Sequence, residues 1–338
     1  MSHPKTYSAY AFTEKGGTLQ KLIIDWQDPK DGEIVVKVLA CGVCGSDEFV
    51  ETGALGMQYP HVPGHEIVGE IVAVPPNEKN YKVGQRVGGA WHGQHCFSCT
   101  PCRSGDFTLC EHTEANGIHR DGGYAEYATL RSEAVVNVPT DIDPAEAAPL
   151  LCAGVTVFNA LRNMSYVPGD LVAIQGIGGL GHLAIRFARK MGLRPVAIST
   201  SADKKDVASR LGAVAYLDSS KLDIGKALTE MGGAKIIVVT ANNPDVLNNF
   251  IEGLSIGGTL LILSFPPTTP INLVPLIFKR ASLRGWPAGD PKACEDTIAF
   301  AQSAGIRSLV TTFPLDKAQE AYEFRSKARF RAVIVPNA

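Results

Sequence analysis

Residues 171–191, LVAIQGIGGLGHLAIRFARKM, constrain the fold more than any other stretch of the chain. LVAIQG (171–176) is a short apolar run bounded by glycine, the pattern of a buried strand. Leu180, Leu183, Ala184, Phe187, Ala188 and Met191 then recur at the i, i+3, i+4 spacing of one helical face. Between strand and helix, Gly176, Gly178 and Gly181 form G-x-G-x-x-G. Alone this pattern is weak, because ordinary strand-to-helix turns are also Gly-rich; in this context its physics is specific. The first glycine permits a tight turn, the second lets backbone approach a pyrophosphate, and the third lets helix and strand pack closely. Free N–H groups and the positive end of the helix dipole then face the phosphates. A dinucleotide is the expected ligand, with Gly179 and Leu180 completing its loop.

The same texture continues on both sides of that unit. Strand-like runs PVAIST (195–200), AVAYLD (213–218), KIIVVTA (235–241) and GGTLLILSF (257–265) alternate with helical periods. Continuously apolar strands alternating with helices predict a parallel sheet covered on both faces. Residues 1–150 differ: they are rich in Gly, Cys and His, with β-like runs such as EIVVKVLACG (33–42) and EIVGEIVAV (66–74) cut by Gly and Pro. The closing FRAVIVP (330–336) reads as a strand returning to that first region. The expected fold class is α/β, with an irregular β domain over 1–150 and 287–338 and a doubly wound, parallel-sheet dinucleotide domain over 151–286.

At 338 residues the chain is too long for one ordinary core, which agrees with two domains. A formal net charge of −2 offers no basic field for nucleic acid or an anionic membrane, so a small-molecule partner is expected. The start, MSHPKTYSAYAF, lacks the apolar core of a secretory signal, and a cytoplasmic, reducing setting is the expectation. In that setting eight cysteines suggest metal or catalysis rather than a disulfide framework.

An NAD site usually places an acid at the end of the second strand, on the ribose hydroxyls. Here that tip carries Ser199, Thr200 and Ser201, with Lys204 and Lys205 shortly after. Hydroxyls and cations suit a 2′-phosphate, so NADP(H) is favoured over NAD(H). Asp203 weakens the case slightly, and a solvated helix face competes as the reading of each lysine.

Cys96, Cys99, Cys102 and Cys110 are separated by two, two and seven residues. Four thiolates can close a tetrahedral Zn²⁺ site, and a closed site is structural; an iron–sulfur cluster is the nearest rival. His92, His95 and His112 lie nearby and read as surface or packing residues, since the thiols already supply four ligands. Cys44, His65 and Cys152 remain. Three such ligands would leave zinc a fourth position for an alcohol or carbonyl. Taken singly, Cys152 is equally a small buried hydrophobe and His65 a loop residue.

The motifs CGVCGSD (41–47), GHE (64–66), the cysteine lobe (96–110), DGGYAEYA (121–128), LCAGVTV (151–157), GIGGLG (176–181) and FRAVIVP occur in the order found in zinc-dependent medium-chain alcohol dehydrogenases, and essentially the whole chain resembles that family. The resemblance implies that Cys44, His65 and Cys152 bind a catalytic zinc and the four-cysteine lobe a structural one. It implies that Asp47 orients His65, that Glu66 lies behind the metal and enters its shell transiently, and that Ser46 handles the substrate proton. It brings Thr156 to the nicotinamide, Arg331 to the pyrophosphate and Lys204 to a 2′-phosphate. Phe265 is counted with the cofactor residues, and Ser46, Phe49, Trp91 and Trp286 with the substrate pocket, although Phe265 and Trp286 also read as ordinary core. Cys41 and Cys294 match no ligand position.

Two departures stand out. Gly45 replaces a bulkier residue beside the zinc cysteine, and Phe49 stands where many relatives carry a proton-relay histidine. If the strand period holds through this segment, Glu48 points elsewhere and cannot replace that histidine. The expected activity is hydride transfer between NADP(H) and a primary alcohol or aldehyde, by a homo-oligomer, dimer or tetramer. The alternatives are an NAD-dependent alcohol dehydrogenase, a polyol dehydrogenase of the same fold, and a non-catalytic dinucleotide sensor.

Overall fold

The computed structural model describes residues 3–327 and 330–336. The chain divides into two compact units, 1–155 with 288–338, and 156–287.

In the first unit a long strand, Glu33–Gly42, organises the sheet. It pairs antiparallel with Glu66–Ala73, with Tyr127–Arg131 and with the closing strand Arg331–Val335. Arg86–Gly89 and Val135–Asn137 extend the sheet on one side and Val310–Pro314 on the other. Ile34, Val36, Val38, Ile67, Ile71 and Leu130 form the buried core of this sheet. Two register shifts between Glu33–Gly42 and Glu66–Ala73 give the pair the bends of a partly open barrel. These pairings matter for the site. Gly42 lies opposite Glu66, and Val333 opposite Gly42, so the ends of two strands and the middle of a third, distant in sequence, meet just before Cys44.

The segment after that point is helical, not extended. Gly45–Asp47 is a single 3₁₀ turn and Glu48–Thr52 a short α-helix. The Cys44 N–H donates to Asp47 Oδ2 at 2.9 Å, a local side-chain cap that outcompetes strand pairing. This corrects the strand period expected through Glu48.

The second unit is a six-stranded, all-parallel sheet. Its spatial order is Ala215–Asp218, Arg194–Ser199, Leu171–Gln175, Ala234–Val239, Leu254–Ile262, Ser282–Gly285. Chain order therefore reverses beside Leu171–Gln175, and the Gly-rich loop leaves the sheet at that switch point, where doubly wound sheets bind nucleotides. The helix that follows, Gly179–Lys190, buries Leu183, Ala184, Phe187 and Ala188 as its spacing predicts. His182 and Ile185 are buried as well, whereas Leu180 is half-buried at the first turn and Met191 falls in the C-cap.

Candidate active site

Three chain segments deliver the thiol and imidazole groups. Cys44 follows the long central strand, His65 precedes Glu66–Ala73, and Cys152 sits at the break between the 3₁₀ turn Ala148–Leu151 and the helix Ala153–Arg162. The sulfurs of Cys44 and Cys152, 108 residues apart in sequence, are 3.8 Å apart. One ligand atom each from Cys44, His65, Glu66 and Cys152 lies within 4.8 Å of the others, and all four residues are buried. Ser46 Oγ is 3.8 Å from the Cys44 sulfur.

The electrostatics fit a cation. The hydrogen bond from Cys152 holds the Cys44 thiol well below the usual range against the cost of burial, with Arg331 and His65 adding to it. The same bond, with burial, pushes Cys152 up. Burial disfavours the protonated form of His65, but Asp47 and Cys44 outweigh it and carry the ring to about 10. Burial raises Glu66 to about 8 despite the guanidinium of Arg331. Nε2 of His65 and Oε2 of Glu66 are buried without a hydrogen-bond partner. Native interiors rarely leave such atoms orphaned. Two thiols, an imidazole and a carboxylate oxygen converging on one point form a donor set that suits zinc.

Behind the donors stand two buried polar pairs. Asp47 Oδ1 is 3.2 Å from His65 Nδ1, an ion-pair contact whose angle falls short of a hydrogen bond. Asp47 Oδ2 also accepts from the hydroxyl of Tyr124 at 2.8 Å. Burial and the charge of Asp47 hold the Tyr124 phenol well above its usual value, so it stays a donor. On the other side, Arg331 Nη2 donates to Glu66 Oε1 at 2.6 Å and lies 3.6 Å from the Cys44 sulfur. A Cβ on Gly42 would overlap the Glu66 carboxylate, so only glycine lets this pair form.

Arg331 is only 5% exposed; its guanidinium contacts Glu66, Cys44 and the carbonyl of Val43, and its Nε has no hydrogen-bond partner among the described residues. Antiparallel pairing of the closing strand with Glu33–Gly42 brings it there. Neither this pairing nor Tyr124 is legible in local sequence, because both depend on which strands become neighbours.

The four lobe cysteines also converge, with sulfurs within 4.8 Å of one another. Backbone N–H groups of Cys96 and His112 point at the Cys110 sulfur (3.4 and 3.3 Å), and that of Cys99 at the Cys96 sulfur (3.3 Å). Hydrogen bonds from Ser98 and from backbone push Cys96 down to about 5, while burial, with neighbouring thiols, pushes Cys102 up to about 12. Such N–H···S bonds stabilise thiolates around a cation. His92 and His95 are buried and bonded to each other at 3.0 Å, and His95 stacks on Phe107; they are packing residues, not surface ones.

Trp91 meets the ring of His65 edge-on, with centroids 5.0 Å apart, and so forms a wall of the metal cluster. Phe49 is half-buried against the core of the first unit. In the second unit, Gly176 takes φ +79° and Gly178 caps the helix with nothing within 4 Å of where its Cβ would be. A Cβ on Gly181 would overlap the carbonyl oxygen of Gly176. Ser199 is buried, Thr200 is exposed, and the hydroxyl of Ser201 is taken up by Asp203. Lys204 is half-buried, and no hydrogen bond or ion pair occupies its amine among the described residues. Thr156 is half-buried in its helix. Phe265 is 68% exposed, which removes it from the core. Trp286 is half-buried under the guanidinium of Arg284, 4.8 Å from the ring.

Comparison with known proteins agrees with this chemistry. The family model described as alcohol dehydrogenase GroES-like domain matches residues 30–140, and that described as zinc-binding dehydrogenase matches residues 179–303. The chain is 48% identical to alcohol dehydrogenase patD of Penicillium expansum over 98% of each chain. It is 37% identical to an alcohol dehydrogenase of Geobacillus stearothermophilus over 90% of this chain and 91% of that one. Among solved structures it is similar to a cinnamyl alcohol dehydrogenase of Sorghum bicolor, with a TM-score of 0.88, 28% identity and 98% of each chain covered. The chain belongs to the zinc-dependent medium-chain alcohol dehydrogenase family and is an NAD(P)-dependent oxidoreductase acting on alcohols.

Proposed function

We propose that the protein transfers a hydride between NADP(H) and primary alcohols or their aldehydes, aromatic ones included, and that it holds two zinc ions per chain. The observation that carries the cofactor choice is the tip of the strand Arg194–Ser199. It presents hydroxyls and the unoccupied amine of Lys204, while Asp203 is engaged by Ser201 and Asp218, on the neighbouring strand, by Ser220. Support for an aromatic substrate comes from Trp91 beside His65 and from the likeness to a cinnamyl alcohol dehydrogenase.

In this reading Cys44, His65 and Cys152 hold the catalytic zinc, with Glu66 in reach, and Cys96, Cys99, Cys102 and Cys110 hold the structural one. Bound zinc supplies Lewis acidity that lowers the pKa of an alcohol hydroxyl or polarises a carbonyl. Ser46 accepts the hydrogen bond of the substrate hydroxyl and starts its proton outward. Asp47 sets the ring of His65. Trp91 excludes water beside the reacting carbon, and Thr156 borders the nicotinamide. A homo-oligomer is supported by the exposed apolar side chains of Ile277 (71%) and Phe278 (83%) near the exposed edge strand Ser282–Gly285. Eight unbridged cysteines support a cytoplasmic setting.

The test compares kcat/KM for NADPH and NADH across aldehydes such as benzaldehyde and hexanal. Lys204→Ala lowers the NADPH value roughly 10- to 100-fold, the worth of one charge-assisted hydrogen bond, and leaves the NADH value within about twofold. A wild-type preference for NADH overturns the cofactor reading.

Phe49 has no exchangeable proton, so the outward relay ends before it or passes to water. In Phe49→His a neutral imidazole accepts the proton, which requires a pH above its pKa near 6.5. The variant therefore gains alcohol-oxidation rate as pH rises through about 6–7, with a smaller gain in aldehyde reduction. Unchanged pH–rate profiles in both directions would sink this account of Phe49.

A further inference from the structure

Tyr124 is fully buried, and its hydroxyl points at a carboxylate the catalytic reading already uses. Its backbone is tied to the loop that delivers His65. Gly122, Gly123 and Tyr124 donate their N–H groups to the carbonyls of Val62, Gly64 and Pro63 at 2.8, 2.9 and 3.1 Å. The carboxylate of Asp121 returns the contact by accepting from the Val62 N–H at 2.9 Å. Gly64, with φ +105°, has no room for a side chain because the Tyr124 ring lies against it. The segment 121–124 thus clamps the loop 62–64 immediately before His65, and its tyrosine reaches across to the helical turn that carries Asp47.

Asp47 is wholly buried, and two donors share its Oδ2: the Cys44 N–H and the Tyr124 hydroxyl. Its other oxygen faces His65 Nδ1. With Oδ2 pinned from two directions, the carboxylate plane is fixed, and so is the direction from which Oδ1 meets the imidazole. A single donor would leave the group free to rotate about its terminal torsion, which is broad in carboxylates.

We propose that Tyr124 is a positioning residue of the metal centre: its hydroxyl locks Asp47, and Asp47 in turn sets the His65 ring. This rests on the assignment of His65 as a zinc ligand. Asp47, which meets the ligand directly, is of the kind that changes metal affinity 10- to 100-fold; Tyr124 stands one contact further out and acts through it.

The decisive variant is Tyr124→Phe, which keeps the ring against Gly64 and removes only the hydroxyl. Zinc affinity of the catalytic site, measured by chelator competition on the whole enzyme, weakens about 10-fold, the worth of one hydrogen bond to a buried carboxylate, while the four-cysteine site is unaffected. The visible spectrum of the Co²⁺-substituted enzyme shifts, kcat falls, and KM for the dinucleotide stays within about twofold. In an Asp47→Asn background Tyr124→Phe adds nothing to the loss of zinc affinity, because the two act in series. Wild-type zinc affinity and an unchanged Co²⁺ spectrum in Tyr124→Phe overturn the proposal, whatever happens to thermal stability; so does full additivity in the Asp47→Asn background. The underlying ligand assignment fails separately, if wild-type enzyme binds one zinc or Cys44→Ser keeps two.

Discussion

Cys44→Ser removes about one thousandfold or more from kcat/KM for alcohol oxidation and one zinc ion per chain, with the fold intact. The size follows from the several kcal/mol that a Lewis acid contributes to developing charge, at a factor of ten per 1.4 kcal/mol. Serine is nearly isosteric with cysteine, so the buried position is not emptied. The substitution spares Asp47 and His65, whose ion pair would otherwise lose a partner and leave a buried charge uncompensated. It also relieves Cys152 of a neighbouring thiolate, since the two share a hydrogen bond. Metal analysis paired with steady-state kinetics is the measurement. Two zinc ions retained at full activity would falsify the ligand role of Cys44.

Cys110→Ser has its large effect on stability instead. The lobe it belongs to contains one short helix, Thr100–Arg103, and one 3₁₀ turn, Phe107–Leu109. Two of its apolar side chains, Phe97 and Leu109, are 60% and 56% exposed. A segment with so little buried surface cannot offset the conformational entropy of ordering it, and four convergent thiols are what remains to hold it. Loss of that metal site lowers Tm by about 10 °C, the equivalent of several kcal/mol for a chain of this size. It also opens residues 96–112 to limited proteolysis. Cys44→Ser leaves both measurements near wild type, so the two variants separate catalytic from structural metal. Unchanged proteolysis and Tm in Cys110→Ser would show that the lobe holds itself together without an ion.

Much of the fold is legible because it is written in short-range periodicity. A six-strand parallel sheet shows itself as apolar runs separated by helical spacing, and the loop after Leu171–Gln175 as three glycines. Gly181 is a case where sequence and structure make one statement: the carbonyl of Gly176 stands where any side chain would go. The segment after Cys44 was not legible in this way. Its apolar and polar residues suit a strand, but Asp47 caps its own turn and the chain becomes helical. No period announces a side chain that bonds back three residues.

By itself the sequence determined the parallel sheet, the glycine loop and the four-thiol lobe, because each lies within a few tens of residues where spacing and period carry the information. Resemblance to a family was needed to join Cys44, His65 and Cys152. Only the tertiary structure decided what surrounds them. Strand pairing takes Arg331 to Glu66 across 265 residues, and the clamp at 121–124 takes Tyr124 to Asp47 across 77. Those contacts follow from which strands become neighbours and from burial that obliges a charged group to find partners, and neither is a property of a local stretch of chain.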